Sequence, residues 1–263
     1  MAEIDSMQLY LNSKYSDQIY NESTGANSSC LFVFPYITCP SNYYINVSVI
    51  NATIPFSFYQ INQYNNQITI QYTGFSPVNY FIPFGNYNAN QLANKLTTGY
   101  WAPTNPLYTV TNLKVTYNAI TNKFLFLNTL SNNFKFPTEY TTCIEPLGLS
   151  TNVLYNTSIF GELNSGFSIN LATVRAINIV TNYSSGNLSI LEQNNFNTLA
   201  SIPVVALPNS LIYYENSNDF KTNLYLGEIN NINIKFTDQD NNSIDLNGLY
   251  YNLTLQVDIL RFS

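Results

Sequence analysis

The densest group of side chains that could carry chemistry is a polar run near the C-terminus, between residues 238 and 245. It holds four closely spaced oxygen donors: Asp238, Asp240, Asn242 and Asp245. Carboxylate and amide oxygens are the ligands that Ca²⁺ takes in proteins. A calcium loop of the EF-hand type that began at Asp238 would need glycine in place of Ser243 and glutamate in place of Leu249. We therefore predict a polar hairpin loop between the last two strands. Metal binding by the four oxygen donors is the weaker alternative, and no cofactor is predicted.

Aromatic side chains are the second group that could bind a ligand. The chain has 22 tyrosines, and an adjacent pair such as Tyr213 and Tyr214 could stack against sugar rings. Tyrosine is also a good strand former and a common interface residue. We predict structural roles for most of the tyrosines, with glycan stacking at Tyr213 and Tyr214 as the alternative.

The usual catalytic groups are missing from the sequence. It contains no histidine, which removes the Ser-His-Asp and Cys-His arrangements and the common general base near pH 7. Three cysteines are too few for a zinc site built from four thiolates. The remaining acids are scattered and form no paired-carboxylate motif of the kind that glycosidases use. We predict that the protein is not an enzyme.

Charge limits the possible partners. Only 9% of residues are charged, against about 25% in an average globular protein, and the net charge is −6. No large basic surface can form, which argues against nucleic acid as a partner. No stretch approaches the ~20 apolar residues of a membrane span. Cys30, Cys39 and Cys143 cannot all pair within one chain, which indicates synthesis in a reducing cytoplasm.

Period-two alternation is the main structural signal. Residues 232–236 and 251–259 alternate between apolar and polar side chains, which predicts two strands that each bury one face. Residues 43–55 also alternate but change phase at Ile50, as a β-bulge would require. Leucines and alanines at helical spacing predict a helix over residues 89–97, with Asn86 or Asn88 as its N-cap. A short helical turn is predicted to end at Gly148.

Many short strands with turns between them predict an all-β sandwich or barrel. Further strands are predicted at residues 8–11, 30–36, 67–72, 78–83, 110–117, 123–128, 173–181, 188–191, 200–206 and 211–214. The economical organisation is one sandwich built from residues 1–56 and 167–263. A small β-rich subdomain with some helix, residues 57–166, is inserted between them.

Several segments, in order, resemble the penton (vertex, or minor capsid) proteins of virophages, polinton-like viruses and related giant viruses. They are Ile54-Pro-Phe-Ser-Phe-Tyr-Gln-Ile-Asn62, Ile82-Pro-Phe-Gly-Asn-Tyr87, Pro146-Leu-Gly-Leu149, Leu199-Ala-Ser-Ile-Pro-Val204, Ile212-Tyr-Tyr-Glu215, Phe236-Thr-Asp238, Ile244-Asp-Leu-Asn-Gly248 and Leu253-Thr-Leu255. The resemblance implies a single jelly roll that carries an inserted, outward-facing domain.

The same resemblance implies a function and partners. The chain would form a homopentamer at the fivefold vertex of an icosahedral virion, beside a major capsid protein with two jelly rolls. The alternative is a receptor-binding or carbohydrate-binding spike of the virion that recognises a glycan of the host or of a giant virus. Jelly rolls serve both roles, so the fold alone does not choose between them.

Overall fold

The structure is a computed structural model, and it describes residues 3–20, 29–98, 102–103, 112–150, 152, 155–183, 198–224 and 227–261. The strand predicted at residues 188–191 lies outside these residues. By internal contacts the chain divides into two compact units. The first consists of Met1–Phe58 and Val174–Ser263, and the second of Tyr59–Thr173.

Strands make up about half of the described residues. They are β1 (Glu3–Asn12), β2 (Gln18–Tyr20), β3 (Ser29–Thr38), β4 (Tyr43–Pro55), β5 (Gln67–Tyr72), β6 (Val78–Phe81), β7 (Ala102–Pro103), β8 (Leu113–Asn118), β9 (Lys123–Asn128), β10 (Phe134–Pro137), β11 (Tyr155–Thr157), β12 (Glu162–Asn164), β13 (Ala176–Thr181), β14 (Thr198–Pro203), β15 (Leu211–Glu215), β16 (Thr222–Leu224), β17 (Glu228–Thr237) and β18 (Asn252–Arg261). The helices are α1 (Ala89–Thr98) and α2 (Ile144–Leu147), with a 3₁₀ turn at Ser13–Tyr15.

The first unit contains two antiparallel sheets. One has the order β1-β18-β4-β15, with β16 also paired to β4, and the other has the order β14-β13-β17-β3-β2. The chain passes directly from one sheet to the other between β1 and β2, β3 and β4, β14 and β15, β16 and β17, and β17 and β18, and it also changes sheet between β4 and β13, where the second unit is inserted in the sequence. Inward-facing side chains of both sheets belong to a single buried core. This arrangement is a jelly-roll sandwich, so the predicted fold class is confirmed.

The last two strands differ from the prediction of a hairpin. β17 pairs with β13 and β3, whereas β18 pairs with β1 and β4, so the two strands belong to different sheets. Phe236 at the end of one strand and Tyr251 just before the other meet in the core, with ring centroids 4.5 Å apart. Alternation shows which side chains of a strand are buried. It does not identify the partner strand, because strands of two sheets that face one core show the same alternation. The loop of residues 238–251 is therefore a connection between sheets.

The predicted β-bulge in β4 is confirmed. Val49 lies opposite Leu255 and Asn51 lies opposite Thr254, so Ile50 is an extra residue with no partner in the register. Val49 and Ala52, on either side of the bulge, are both buried. The extra residue therefore lets both halves of the strand turn their apolar side chains toward the core.

The second unit has its own core. Its sheets have the orders β11-β10-β5-β6-β7 and β12-β9-β8. The buried face of α1, formed by Leu92, Ala93 and Leu96, belongs to this core. Asn88 is the N-cap of α1: its side-chain oxygen accepts from the Gln91 backbone N–H at 2.9 Å, and the Gln91 side chain accepts from the Asn88 N–H at 2.9 Å. This reciprocal pair is a capping box.

Gly148 ends α2 in the left-handed conformation, with φ +64°, as its position after the predicted helical turn requires. A Cβ added to Gly148 would lie 2.4 Å from the Phe167 carbonyl oxygen. Gly74 also has positive φ, +83°, but nothing lies within 4 Å of its Cβ position. Alanine substitutions at these two glycines therefore distinguish the cost of a left-handed backbone from the cost of a steric clash.

We expect Gly148→Ala to lower the free energy of unfolding by more than about 2 kcal/mol, since it combines a left-handed alanine with a backbone clash. Gly74→Ala carries the left-handed alanine alone and should cost about 1 kcal/mol. Urea denaturation followed by circular dichroism measures both. Equal losses in the two variants would contradict the role of the Phe167 contact.

Candidate functional site

The Asp238 side chain is bonded within its own loop. One carboxylate oxygen accepts from the backbone N–H groups of Asp240 and Asn242, at 2.9 and 2.8 Å, and the other accepts from the Asn242 amide at 3.1 Å. Asp238 is buried, with 6% of its surface exposed. A carboxylate that accepts backbone N–H bonds in this way stabilises a tight turn.

The remaining candidate ligands of this loop also serve its own turns. Asp245 accepts from the Asn247 N–H at 2.7 Å, and Asp240 accepts from the Gln239 amide at 2.8 Å. Within the described residues, no three His, Cys, Asp or Glu side chains are grouped so that they could hold a metal ion. The geometry supports a structural connection between β17 and β18.

Tyr213 and Tyr214 point in opposite directions because they are neighbours on β15. Tyr213 is 67% exposed, whereas Tyr214 packs against the core, where burial raises the pKa of its phenol. The two rings cannot form one stacking platform. Glycan stacking at this pair stays a prediction, and Tyr213 alone offers an open ring for it.

All three cysteines are free thiols; Cys30 and Cys143 are buried and Cys39 is partly buried. Burial raises the pKa of each thiol. A thiol with a raised pKa holds little thiolate at neutral pH, so none of the three has the electrostatic setting of a reactive cysteine.

The outer surface of the sheet β1-β18-β4-β15 carries amides, hydroxyls and phenols, and we call it the neutral face. Residues directly opposite each other on paired strands point to the same face of a sheet. Tyr10 lies opposite Thr254 and Tyr213 lies opposite Thr53. Both threonines face away from the core, so both tyrosines point outward. Tyr10 is 77% exposed. Among the side chains of this face that the structure describes, charge is carried by Glu215 and by the ion pair between Asp258 and Lys221. Few charges combined with exposed tyrosines is the composition of a protein interface.

Asp258 is the buried acid of the neutral face, with 1% of its side chain exposed. Its carboxylate accepts from Lys221 Nζ at 2.8 Å, from Ser6 Oγ at 2.6 Å and from the Gln256 amide at 2.8 Å. Burial acts to raise the pKa of Asp258, but these three donors outweigh it and hold the pKa below its usual value. The carboxylate thereby joins β1 to β18 and to the segment before β16.

A second exposed feature lies in the other unit, in the two-residue turn between β11 and β12. The Ile159 and Glu162 backbones exchange both hydrogen bonds, at 2.9 and 3.0 Å. The central residues Phe160 and Gly161 have φ +53° and +79°, as a type I′ turn requires. Asparagine or glycine is usual in the first central position, and a left-handed phenylalanine costs roughly 1–2 kcal/mol there.

The turn displays large apolar side chains to solvent. Phe160 is 86% exposed and Ile159 is 70% exposed. Leu130 of the adjoining loop is 60% exposed; its neighbour Ser131 has its Cα 2.9 Å from the Cβ position of Gly161. We call Leu130, Ile159 and Phe160 the apolar knob.

The sheet β12-β9-β8 also forms an open groove of about 710 Å³ beside the β8–β9 hairpin. Thr116, Leu125 and Asn164 lie side by side across the three strands and contribute to its wall. Lys123 lines it as well and donates to the Gly166 carbonyl at 2.9 Å. We call this the hairpin groove.

The chain is similar in structure to a viral penton protein. One similar solved structure is the crystal structure of the selenomethionine-labelled mavirus penton protein, with a TM-score of 0.52 and 14% sequence identity. The similarity covers 98% of this chain and 100% of that one. The resemblance read from sequence is thus confirmed at the level of the fold.

Sequence comparison adds no family. No family model matches the chain, and no curated protein matches it. At 14% identity the structural likeness shows the fold alone, because one fold serves several functions. In the described part of the chain, no helix has the length and apolar character needed to span a membrane.

Sequence reasoning missed three features of these surfaces. The Lys221–Asp258 pair joins residues 37 positions apart, and no local pattern indicates it. The neutral face appears only when the strand order is known. For the apolar knob a signal existed, since Gly161 follows a short apolar run, but Phe-Gly is not a typical turn pair.

We expect Asp258→Asn to lower the free energy of unfolding by about 2 kcal/mol at pH 7, since charge-assisted hydrogen bonds to a buried group are lost. Because folding lowers the pKa of Asp258, its contribution is present above the unfolded pKa of about 3.9. It is lost as the pH falls through the lower folded pKa. The free energy of unfolding of the variant should therefore change less with pH, between about 5 and 2, than that of the parent protein. Urea denaturation at several pH values measures both.

Asp219→Asn is the matched control. Asp219 approaches the same Lys221 Nζ at 3.9 Å, but its side chain is 82% exposed. Such a pair contributes about 0.5 kcal/mol or less. A loss from Asp219→Asn as large as that from Asp258→Asn would contradict the importance of burial.

Proposed function

We propose that this chain is a structural capsid protein that forms the pentameric vertex, or penton, of an icosahedral virion. The observation that carries the proposal is the structural similarity to the mavirus penton protein over 98% of this chain, which includes both compact units. A jelly roll alone would be much weaker support, because this fold occurs in many proteins.

In this proposal the function is mechanical. Five copies close a ring, and the ring occupies the gap between neighbouring major capsid proteins, which have two jelly rolls each. The protein acts in the virion after synthesis in the host cytoplasm, and the inserted unit faces outward. No bond is made or broken, which agrees with a chain that lacks histidine.

The neutral face supports a role in assembly. Covering charged groups carries a desolvation cost that is recovered only when they are well paired. On this face Asp258 is already paired with Lys221, and amides and hydroxyls can exchange hydrogen bonds with a neighbouring copy. Tyr10 and Tyr213 supply exposed rings that can be buried at an interface.

We expect the purified protein to have five times the 29.8 kDa mass of the chain when measured by light scattering. A closed ring uses the same two surfaces on every copy, so no larger species should accumulate. A stable monomer or trimer at all concentrations would overturn the proposal.

We also expect Tyr213→Glu to reduce the pentamer fraction, because it places a charge in the neutral face that assembly would desolvate. The affected quantity is the equilibrium between pentamer and monomer, read by light scattering over a dilution series. Phe75→Glu is the matched control, since Phe75 is also 67% exposed but lies in the second unit. Equal effects of the two substitutions would contradict a role for the neutral face.

A further inference from the structure

The apolar knob has features of a surface selected for contact. Its turn would be more stable with asparagine in place of Phe160, because asparagine adopts left-handed backbone readily. The chain instead holds a bulky ring in this conformation, 86% exposed. Strained, solvent-exposed residues of this kind point to a functional role.

The turn is held rigidly enough to present these side chains. The Asn128 N–H donates to the Gly161 carbonyl at 2.8 Å, and the Gly161 N–H donates to the Asn133 side chain at 3.0 Å. Close approach of Ser131 leaves no room for a Cβ at Gly161. The knob is therefore preorganised, which lowers the entropic cost of docking.

The hairpin groove offers matching chemistry in the same unit. Leu125 and the 96% exposed Ile120 supply apolar surface, while Thr116 and Asn164 supply hydrogen-bonding groups. The groove volume of about 710 Å³ is ample for one or two apolar side chains. Lys123 lines the groove, and the exposed Glu162 directly follows the knob turn. One basic side chain at the groove and one acidic side chain beside the knob turn could therefore pair across a contact between two copies.

We propose that the apolar knob of one copy docks in the hairpin groove of a second copy of this chain. The chain cannot fill its own groove. The knob turn is bonded to Asn128 at one end of β9, whereas the hairpin that borders the groove joins β9 at Lys123, its other end. Two different surfaces of each copy are then used, and such a heterologous contact can repeat around a closed ring.

This inference rests on the proposed assembly, since it assigns a contact between its subunits. The first test uses cysteines placed at the two surfaces, Ile159→Cys and Thr116→Cys, in a Cys39→Ser background. Cys30 and Cys143 are buried and should not react. A short bismaleimide is added to the folded full-length protein, and the products are separated under denaturing conditions. We expect a ladder of linked chains that ends at five, and no linked dimer from either single-cysteine variant.

Light scattering on the same double variant distinguishes the two possible failures. A pentamer that gives no ladder overturns the knob contact and leaves the vertex proposal intact. A protein that stays monomeric at all concentrations overturns both. A cross-linked dimer of the single variant Ile159→Cys would place knob against knob and would also overturn the contact proposed here.

A second variant removes the knob without harming the fold. Phe160→Asn suits the type I′ turn better than phenylalanine, so its unfolding midpoint in urea should equal or exceed that of the parent protein. We expect the midpoint concentration for pentamer assembly to rise about tenfold or more, as for loss of a buried aromatic anchor. Phe75→Asn, an exposed phenylalanine on another turn of the same unit, should leave it unchanged. Assembly unaffected by Phe160→Asn would refute the proposal.

Discussion

The pairing of β18 between β1 and β4 is the constraint on which the rest of the jelly roll depends. The last strand of the chain lies inside the sheet, and the first strand is held only at its edge by β18. Detachment of β18 from the sheet would therefore leave β1 and β4 without their shared partner and would expose the strand's own buried side chains Leu253, Leu255 and Val257. The core closes only when β1, β4 and β18, which are far apart in sequence, have paired, and pairing over such distances slows folding.

The same sheet explains how a weakly charged chain keeps a buried acid. Asp258 lies on the central strand β18, where Ser6 of the edge strand and Lys221 can both reach it. An unpaired carboxylate at this position would be costly to bury, so the ion pair is needed once the position is covered. Because Asp258 and the partly exposed Lys221 neutralise each other, Glu215 is the unpaired charge among the described side chains of the neutral face, which keeps that surface suitable for contact with another protein.

Local patterns in the sequence predicted the elements better than their assembly. The bulge at Ile50 and the helix α1 follow from the phase and spacing of apolar residues, which the backbone geometry sets directly. The assignment of β17 and β18 to one hairpin was wrong because period two reports which face is buried and carries no information on the partner strand. The Tyr213–Tyr214 pair shows the same limit. The two residues are neighbours in sequence, but neighbouring side chains on a strand point to opposite faces of the sheet. Features that depend on strand order or on a left-handed phenylalanine could not be reached from spacing alone.

The inserted unit shows why such a fold can carry additional contacts at little cost. It replaces the connection between β4 and β13, and it has a core of its own that includes four edge-packed phenylalanines. Lengthening a connection by a folded unit adds little closure entropy, because that cost grows only with the logarithm of loop length. Substitutions on its surface can therefore change an interface without weakening the jelly roll. An exposed, strained side chain such as Phe160 is tolerated in this unit because the phenylalanine core, and not the turn, supplies its stability.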